Sequence, residues 1–265
     1  MESLKSILNT VKKESPILYW VALFQFVGAL FCALGLVIDD RSLMGINVWV
    51  KPLKFYLSVG VYMLTVGYLI TRYPFSNRLK HGIRNTVTIT MIFEMAIITF
   101  QAARGVQSHY NTSSLFDIIL FQSMGVFIGI NVLLMVFFMI ATLRVKMNTP
   151  KAVQYAIFLG WTIMLIGSWA GGQMISQMSH TVGLPDGGEG LPLLNWSTTA
   201  GDLRVAHFFG LHAIQIIPLF AVSLGKIKSV PFRWHATTAI LFGLAYGGWI
   251  GYIFYQAKNA MPFLG

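Results

Sequence analysis

Apolar and polar positions fall along this chain in long blocks rather than in residue-by-residue alternation. Seven apolar blocks stand out, at about 17–38, 52–71, 84–103, 115–142, 152–176, 203–224 and 235–256. Each reaches the roughly 20 residues that a helix needs to cross the hydrocarbon core of a bilayer. The blocks are apolar on every face, whereas barrel strands alternate with period two over about 10 residues. In lipid every backbone N–H and C=O must be paired within the structure, and a continuous helix does this locally. The pattern predicts an all-α, polytopic membrane protein built as a bundle of seven transmembrane helices.

The polar segments between the blocks orient the bundle. Lys5, Lys12 and Lys13 precede the first block, and Arg72, Arg78, Lys80 and Arg84 follow the second. Arg144, Lys146 and Lys151 follow the fourth, and Lys226, Lys228 and Arg233 follow the sixth. Those thirteen cations share one side, against six on the other: Arg41, Lys51, Lys54, Arg104, Arg204 and Lys258. The richer side is expected to face the cytoplasm. That places the N-terminus in the cytoplasm and the C-terminus outside. Glu2 and Glu14 then lie inside, Glu94 lies within the third span, and Asp39, Asp40, Asp117, Asp186, Glu189 and Asp202 lie outside. The outer face mixes both signs of charge.

Composition agrees with this reading. Of 265 residues only 11% are charged and 55% are hydrophobic, against roughly 25% charged in a soluble protein. The spans leave too little chain for a separate soluble domain, so residues 1–265 read as one transmembrane domain in a plasma or bacterial inner membrane, with the lipid bilayer as its main partner. The first sixteen residues are polar and the first apolar run is too long for a secretory signal. The net charge of +10 belongs to the short loops, so nucleic acid is not an expected partner. The single cysteine, Cys32, excludes an intramolecular disulfide and a CxxC site, and it reads as packing. Gly243, Gly247 and Gly251 recur every fourth residue in the seventh span. Such a stripe lets another helix approach closely, within the bundle or across a homo-oligomer seam. Pro218 predicts a kink in the sixth span. Tyr252 and Tyr255 suit an interfacial belt.

Polar residues inside spans are costly and mark partners or cavities. The third span carries Glu94 near its middle, then Gln101 and Arg104. The sixth opens with Asp202 as a candidate N-cap, then Arg204, His207, His212 and Gln215. At 1.5 Å per residue His212 lies roughly 13 Å below Leu203, and Glu94 roughly 15 Å below Arg104. The two meet at one depth if the spans are neighbours. Gln173, Gln177 and His180 form a stripe at the end of the fifth span. Lys51 and Lys54 open the second. Four of the six histidines, His109, His180, His207 and His212, fall on the outer side, while His81 and His235 sit in inner loops. Histidine ligates metals and haem and carries protons. His207 and His212 are five apart and point about 140° apart around a helix, so a shared metal would draw ligands from several helices. The loop 181–201 is rich in Gly and Pro but carries Leu191, Leu194 and Trp196, which suits a flap over the bundle mouth. Asp186 and Glu189 in it are candidate calcium ligands. Asn111-Thr112-Ser113 and Asn195-Trp196-Ser197 match the glycosylation pattern.

The strings Gln101–Gly105 with Ser108-His109-Tyr110-Asn111, and Gly201–Ala213, resemble a family of uncharacterised bacterial seven-span membrane proteins. That resemblance implies the fold and brings no function. The architecture alone resembles seven-helix hydrolases of the ceramidase and adiponectin-receptor type, whose zinc-binding histidines stand four apart on a late helix. Here the spacing is five, so no zinc site is carried over. The seventh span has no interior lysine for a retinal Schiff base.

The expected function is a membrane-embedded, metal- or haem-dependent enzyme or redox protein with its site in the outer half of the bundle. Glu94, His207 and His212 are its acid–base candidates, and His180, His207 and His212 its metal ligands. Arg104, Arg204, Gln101, Gln173, Gln215 and Lys54 are the candidates for holding a small or lipid-soluble ligand. A transporter or binding protein for a small solute is the alternative, and a sensor or assembly factor the third reading.

Overall fold

A computed structural model describes residues 4–227 and 231–264, with the side chains of Phe232 and Arg233 excepted. Glu2, Lys228 and the side chain of Arg233, used in the charge count, lie outside the described residues. The chain is all-helical. Among the described residues six helices are long and apolar enough to cross a membrane, and a bent pair makes a seventh if it is one span. They are α2 (Pro16–Ile38), α3 (Val50–Arg72), α4 (Asn77–Ala103), α5 (Leu115–Arg144), α6 (Lys151–Gln177), the pair α7 (Leu203–Leu211) and α8 (Ala213–Leu224), and α9 (Phe232–Lys258). Every expected block became a helix, with ends moved by a few residues and by seven at the start of α4.

One helix was not expected. The polar N-terminal stretch forms α1 (Leu4–Glu14). Its apolar residues Leu4, Ile7, Leu8 and Val11 are spaced three, one and three apart, which sets them on one face. Val11 is fully buried against Gly67 of α3, and the Lys12 ammonium lies over the rings of Tyr19 and Trp20.

The surface is inverted relative to a water-soluble protein. α2 exposes Trp20, Phe24, Val27, Leu30, Leu34 and Val37, while its one buried stripe carries Leu18, Ala22, Gln25, Ala29, Cys32 and Gly35. Contiguous apolar surface on this scale suits a hydrocarbon surround. The chain forms two compact units, Glu2–Leu133 and Leu134–Gly265.

In the Glu2–Leu133 unit, α2 and α3 form an antiparallel pair joined by a hairpin of β1 (Ser42–Leu43) and β2 (Ile46–Asn47). Glycines set their approach. A Cβ on Gly28 would strike the Tyr56 ring, one on Gly35 the Trp49 indole, and one on Gly60 the Phe26 ring. α4 returns alongside α3, with the Thr99 and Tyr56 hydroxyls meeting at 3.0 Å. Asn131 of α5 donates to Thr90 at 2.6 Å, and Phe93 and Phe127 meet ring to ring.

In the Leu134–Gly265 unit, α6 is the central element and contacts α7, α8 and α9. Its glycines receive the bent span at van der Waals distance. A Cβ on Gly167 would stand 2.7 Å from the Gly210 backbone, and one on Gly160 3.0 Å from the Ile214 Cα. The bend of 47° is centred at His212 rather than at Pro218. The proline ring crowds the carbonyl of Ile214, four residues earlier, and the helix gives way just ahead of it. The Tyr246 hydroxyl of α9 donates at 2.8 Å to the Phe209 carbonyl, which a continuous helix would offer to the Ala213 N–H. Gly243 and Gly247 of the α9 stripe face Leu159 and Ile163 of α6, while Gly251 faces open space. β3 (Thr181–Val182) pairs with β4 (Gly201–Asp202) and closes the long loop. Trp196 is buried there, within ring contact of Phe208, Phe209 and Phe263, and Leu191 and Leu194 pack on the same cluster.

Candidate functional site

The Glu2–Leu133 unit gathers its polar side chains at the end where α3 begins and α4 finishes. α4 ends at Ala103, and Gly105 at φ +72° and Tyr110 at φ +60° turn the loop back over the helices. A tyrosine in the left-handed region is uncommon, and its effect here is to carry the neighbouring His109 inward. The His109 ring lies near Phe55, Tyr110 and Phe121 at centroid distances of 6.0 to 6.2 Å. Its Nδ1 stands 3.2 Å from the Lys51 Nζ and 3.0 Å from the Ser108 Oγ. An ammonium only donates, so Nδ1 accepts and the ring proton sits on Nε2. Nε2 in turn lies 3.7 Å from Glu94 Oε1. Glu94 is 3% exposed, and its Oε2 has no hydrogen-bond partner.

Lys51, His109 and Glu94 therefore form a file from the end of the unit to a buried carboxyl. The His109 side chain, the middle member of the file, is one-fifth exposed. Such an arrangement can move a proton between bulk water and Glu94 through the imidazole. Lys54 stands one turn further along α3, half-buried.

Gln101 and Arg104 serve a different group. Asp117, 2% exposed, accepts from Gln101 Nε2 at 2.8 Å, from Arg104 at 2.6 Å and from Ser114 Oγ at 2.5 Å. Arg104 also donates to Gln101 Oε1. This closed network pins the loop that carries His109. Asn111 is 9% exposed, donates to the Gln107 carbonyl and accepts from Ser113. Asn195 is 8% exposed. Neither glycosylation match presents a free amide.

In the Leu134–Gly265 unit the predicted residues occupy separate local settings. His180 Nδ1 meets Asp186 Oδ2 at 2.6 Å, and Asp186 also accepts from the His180 and Thr181 N–H groups and the Thr181 hydroxyl. Burial opposes the charge of Asp186, but the His180 and Thr181 bonds outweigh it and hold the carboxyl well below the usual carboxylate range. Arg204 is bidentate to Asp202 and donates to the Asn195 carbonyl. Asp202 caps α7 by accepting from the Arg204 N–H, as its position predicted. Around Arg204, Thr181, Glu189, Ser197 and Thr199 lies a small pocket of about 20 Å³. His207 Nδ1 bonds the Gly167 carbonyl at 2.8 Å, and His212, at the bend, bonds Gln215. Gln173 is half-buried on α6. Glu189 is exposed and apart from the bonds that occupy Asp186. Among the described residues no group of three or more His, Cys, Asp or Glu side chains is placed to hold a metal ion.

His109 is the functional candidate that the sequence reading left out of its site, although it was counted among the outer histidines. Its signal was the string Ser108-His109-Tyr110, and only the inward turn of the loop reveals its neighbour. No protein family, curated protein or solved structure matches the chain.

Proposed function

We propose that this integral membrane protein handles protons at Glu94 and couples them to the binding or passage of a small solute. Glu94 is the proton-carrying group, His109 the link to solvent, and Lys51 the group that sets the imidazole tautomer. The carrying observation is the buried Glu94 carboxyl with one oxygen toward His109 and the other unpartnered. On the orientation expected from the basic loops the site opens outward, in a bacterial inner or plasma membrane.

The enzyme or redox reading ranks second. It draws on His180, His207 and His212, and these have separate partners in Asp186, the Gly167 carbonyl and Gln215. Metal and haem analysis of the purified protein tests it directly.

The primary reading is tested in liposomes carrying the full-length protein and a pH-sensitive dye. An imposed pH gradient is expected to drive proton entry that falls about a hundredfold in Glu94→Gln and in His109→Ala. Wild-type rates in both variants sink the proposal.

A further inference from the structure

Glu94 shares its depth with a second enclosed polar side chain. α2 and α4 run in the same direction from a common anchor, where Arg84 Nε donates to Ser15 Oγ at 3.1 Å. Gln25 lies ten residues beyond Ser15 on α2, and Glu94 ten residues beyond Arg84 on α4. Each stands about 15 Å from the anchor. The α3 contacts agree. Phe26 lies against Gly60, Tyr56 against Gly28, and the Tyr56 hydroxyl meets Thr99. Gly60, Gln25 and Glu94 are therefore level to within about one helical turn.

Gln25 is 0% exposed, and neither its amide oxygen nor its amide nitrogen has a hydrogen-bond partner among the described residues. Buried amides are almost always bonded, so an enclosed glutamine level with an enclosed carboxyl that has a free oxygen calls for something that bonds both.

We infer that Gln25 and Glu94 face one buried site whose occupant is a small neutral molecule with a hydrogen-bond donor and an acceptor, in the size class of water or urea. The amide supplies one acceptor and two donors, and the carboxyl its free oxygen. A cation is disfavoured because Lys51 and His109 already face the carboxyl along the approach. An anion is disfavoured by the carboxyl itself. The functional meaning rests on the proton-linked reading of Glu94, but the test does not.

The test is infrared difference spectroscopy on the purified full-length protein, with Glu94→Gln to assign the Glu94 carboxyl band and Gln25→Met to remove the amide at nearly constant volume. The expected result is a Glu94 band that moves to higher frequency in Gln25→Met, with a displaced pH midpoint. Urea shifting the wild-type band but not that of Gln25→Met identifies a solute. Sensitivity to deuterated water without sensitivity to urea identifies water. An unmoved band and midpoint in Gln25→Met, with a higher melting temperature, overturns the inference, since that is how deleting an amide that bonds nothing behaves. Should Gln25→Met not fold, Gln25→Asn withdraws the amide by one methylene and is read the same way. A Glu94 that never titrates defeats the proton-linked reading alone. Its carboxylate band then serves for the same comparison.

Discussion

Asp186 shows how much one side chain can organise. It accepts from two backbone N–H groups, one hydroxyl and one imidazole within the seven residues from His180 to Asp186. Its carboxyl is held below the usual range. A depressed carboxylate contributes stability that is fully present above its unfolded pKa and is lost as pH falls through the folded one. The loop from Ser179 to Asp202 is therefore expected to keep its amide protection from neutral pH down to about pH 4, the ordinary carboxylate value. It should loosen only below that. Hydrogen exchange followed against pH reads this directly, and protection lost near pH 5 contradicts it. Asp186→Ala leaves several donors unsatisfied, at about 1–3 kcal/mol each where they stay buried, and should release the same segment at neutral pH. Glu94 was legible as a single residue, because a carboxyl amid an apolar run is conspicuous. Its partner was not, because His109 is a loop residue whose position depends on Gly105 and Tyr110 adopting left-handed backbone.

Among elements, the bent α7–α8 span and α6 depend on one another. Gly167 and Gly210 touch backbone to backbone, and a methyl group at either must push the helices apart. Gly167→Ala is expected to destabilise by about 1–3 kcal/mol, the usual cost of overpacking. Gly172→Ala, with nothing within 4 Å of its added Cβ, should leave stability unchanged or slightly raised. Thermal unfolding in detergent compares the two, and equal effects would mean that the helices do not meet as described. Proline marked this span as irregular from its sequence. The location of the bend was decided elsewhere, by the glycines of α6 and by the Tyr246 hydroxyl that takes up the Phe209 carbonyl. The small-residue face that mattered most lies on α6, at Gly160, Gly167 and Gly171, and it escaped notice because it is spaced seven and four rather than in a regular fourfold stripe. α1 escaped for a different reason. Its few apolar residues disappear in an average over composition and show only at helical spacing.

For the molecule as a whole, six helices among the described residues are long and apolar enough to cross a bilayer, and the bent pair adds a seventh if it is one span. The seven-span reading predicts that reporter fusions at the two ends report opposite compartments, and that a tag in the loop 181–201 shares the compartment of the C-terminus. Both ends on one side would instead favour a bent pair that enters and leaves by the same face. The grouping into Glu2–Leu133 and Leu134–Gly265 has no counterpart in the hydropathy pattern, since its division falls inside α5, an unbroken apolar helix.

Helix type and the approximate ends of the long apolar helices were settled by local chemistry. A span is a sum over some twenty neighbouring residues, and neighbours in sequence are all that such a sum needs. Partnership among the polar residues was not settled that way. Gln101 and Arg104 turned toward Asp117, Arg204 toward Asp202, His180 toward Asp186, and His109 toward Lys51 and Glu94. Gln25, unremarkable in a long apolar helix, came level with Glu94 only through the Ser15–Arg84 bond. Hydrogen bonds act over about 3 Å, so pairings such as His109 with Lys51 and Arg84 with Ser15 are decided by packing between elements distant in the chain, whereas Arg204–Asp202 and His180–Asp186 form within one loop.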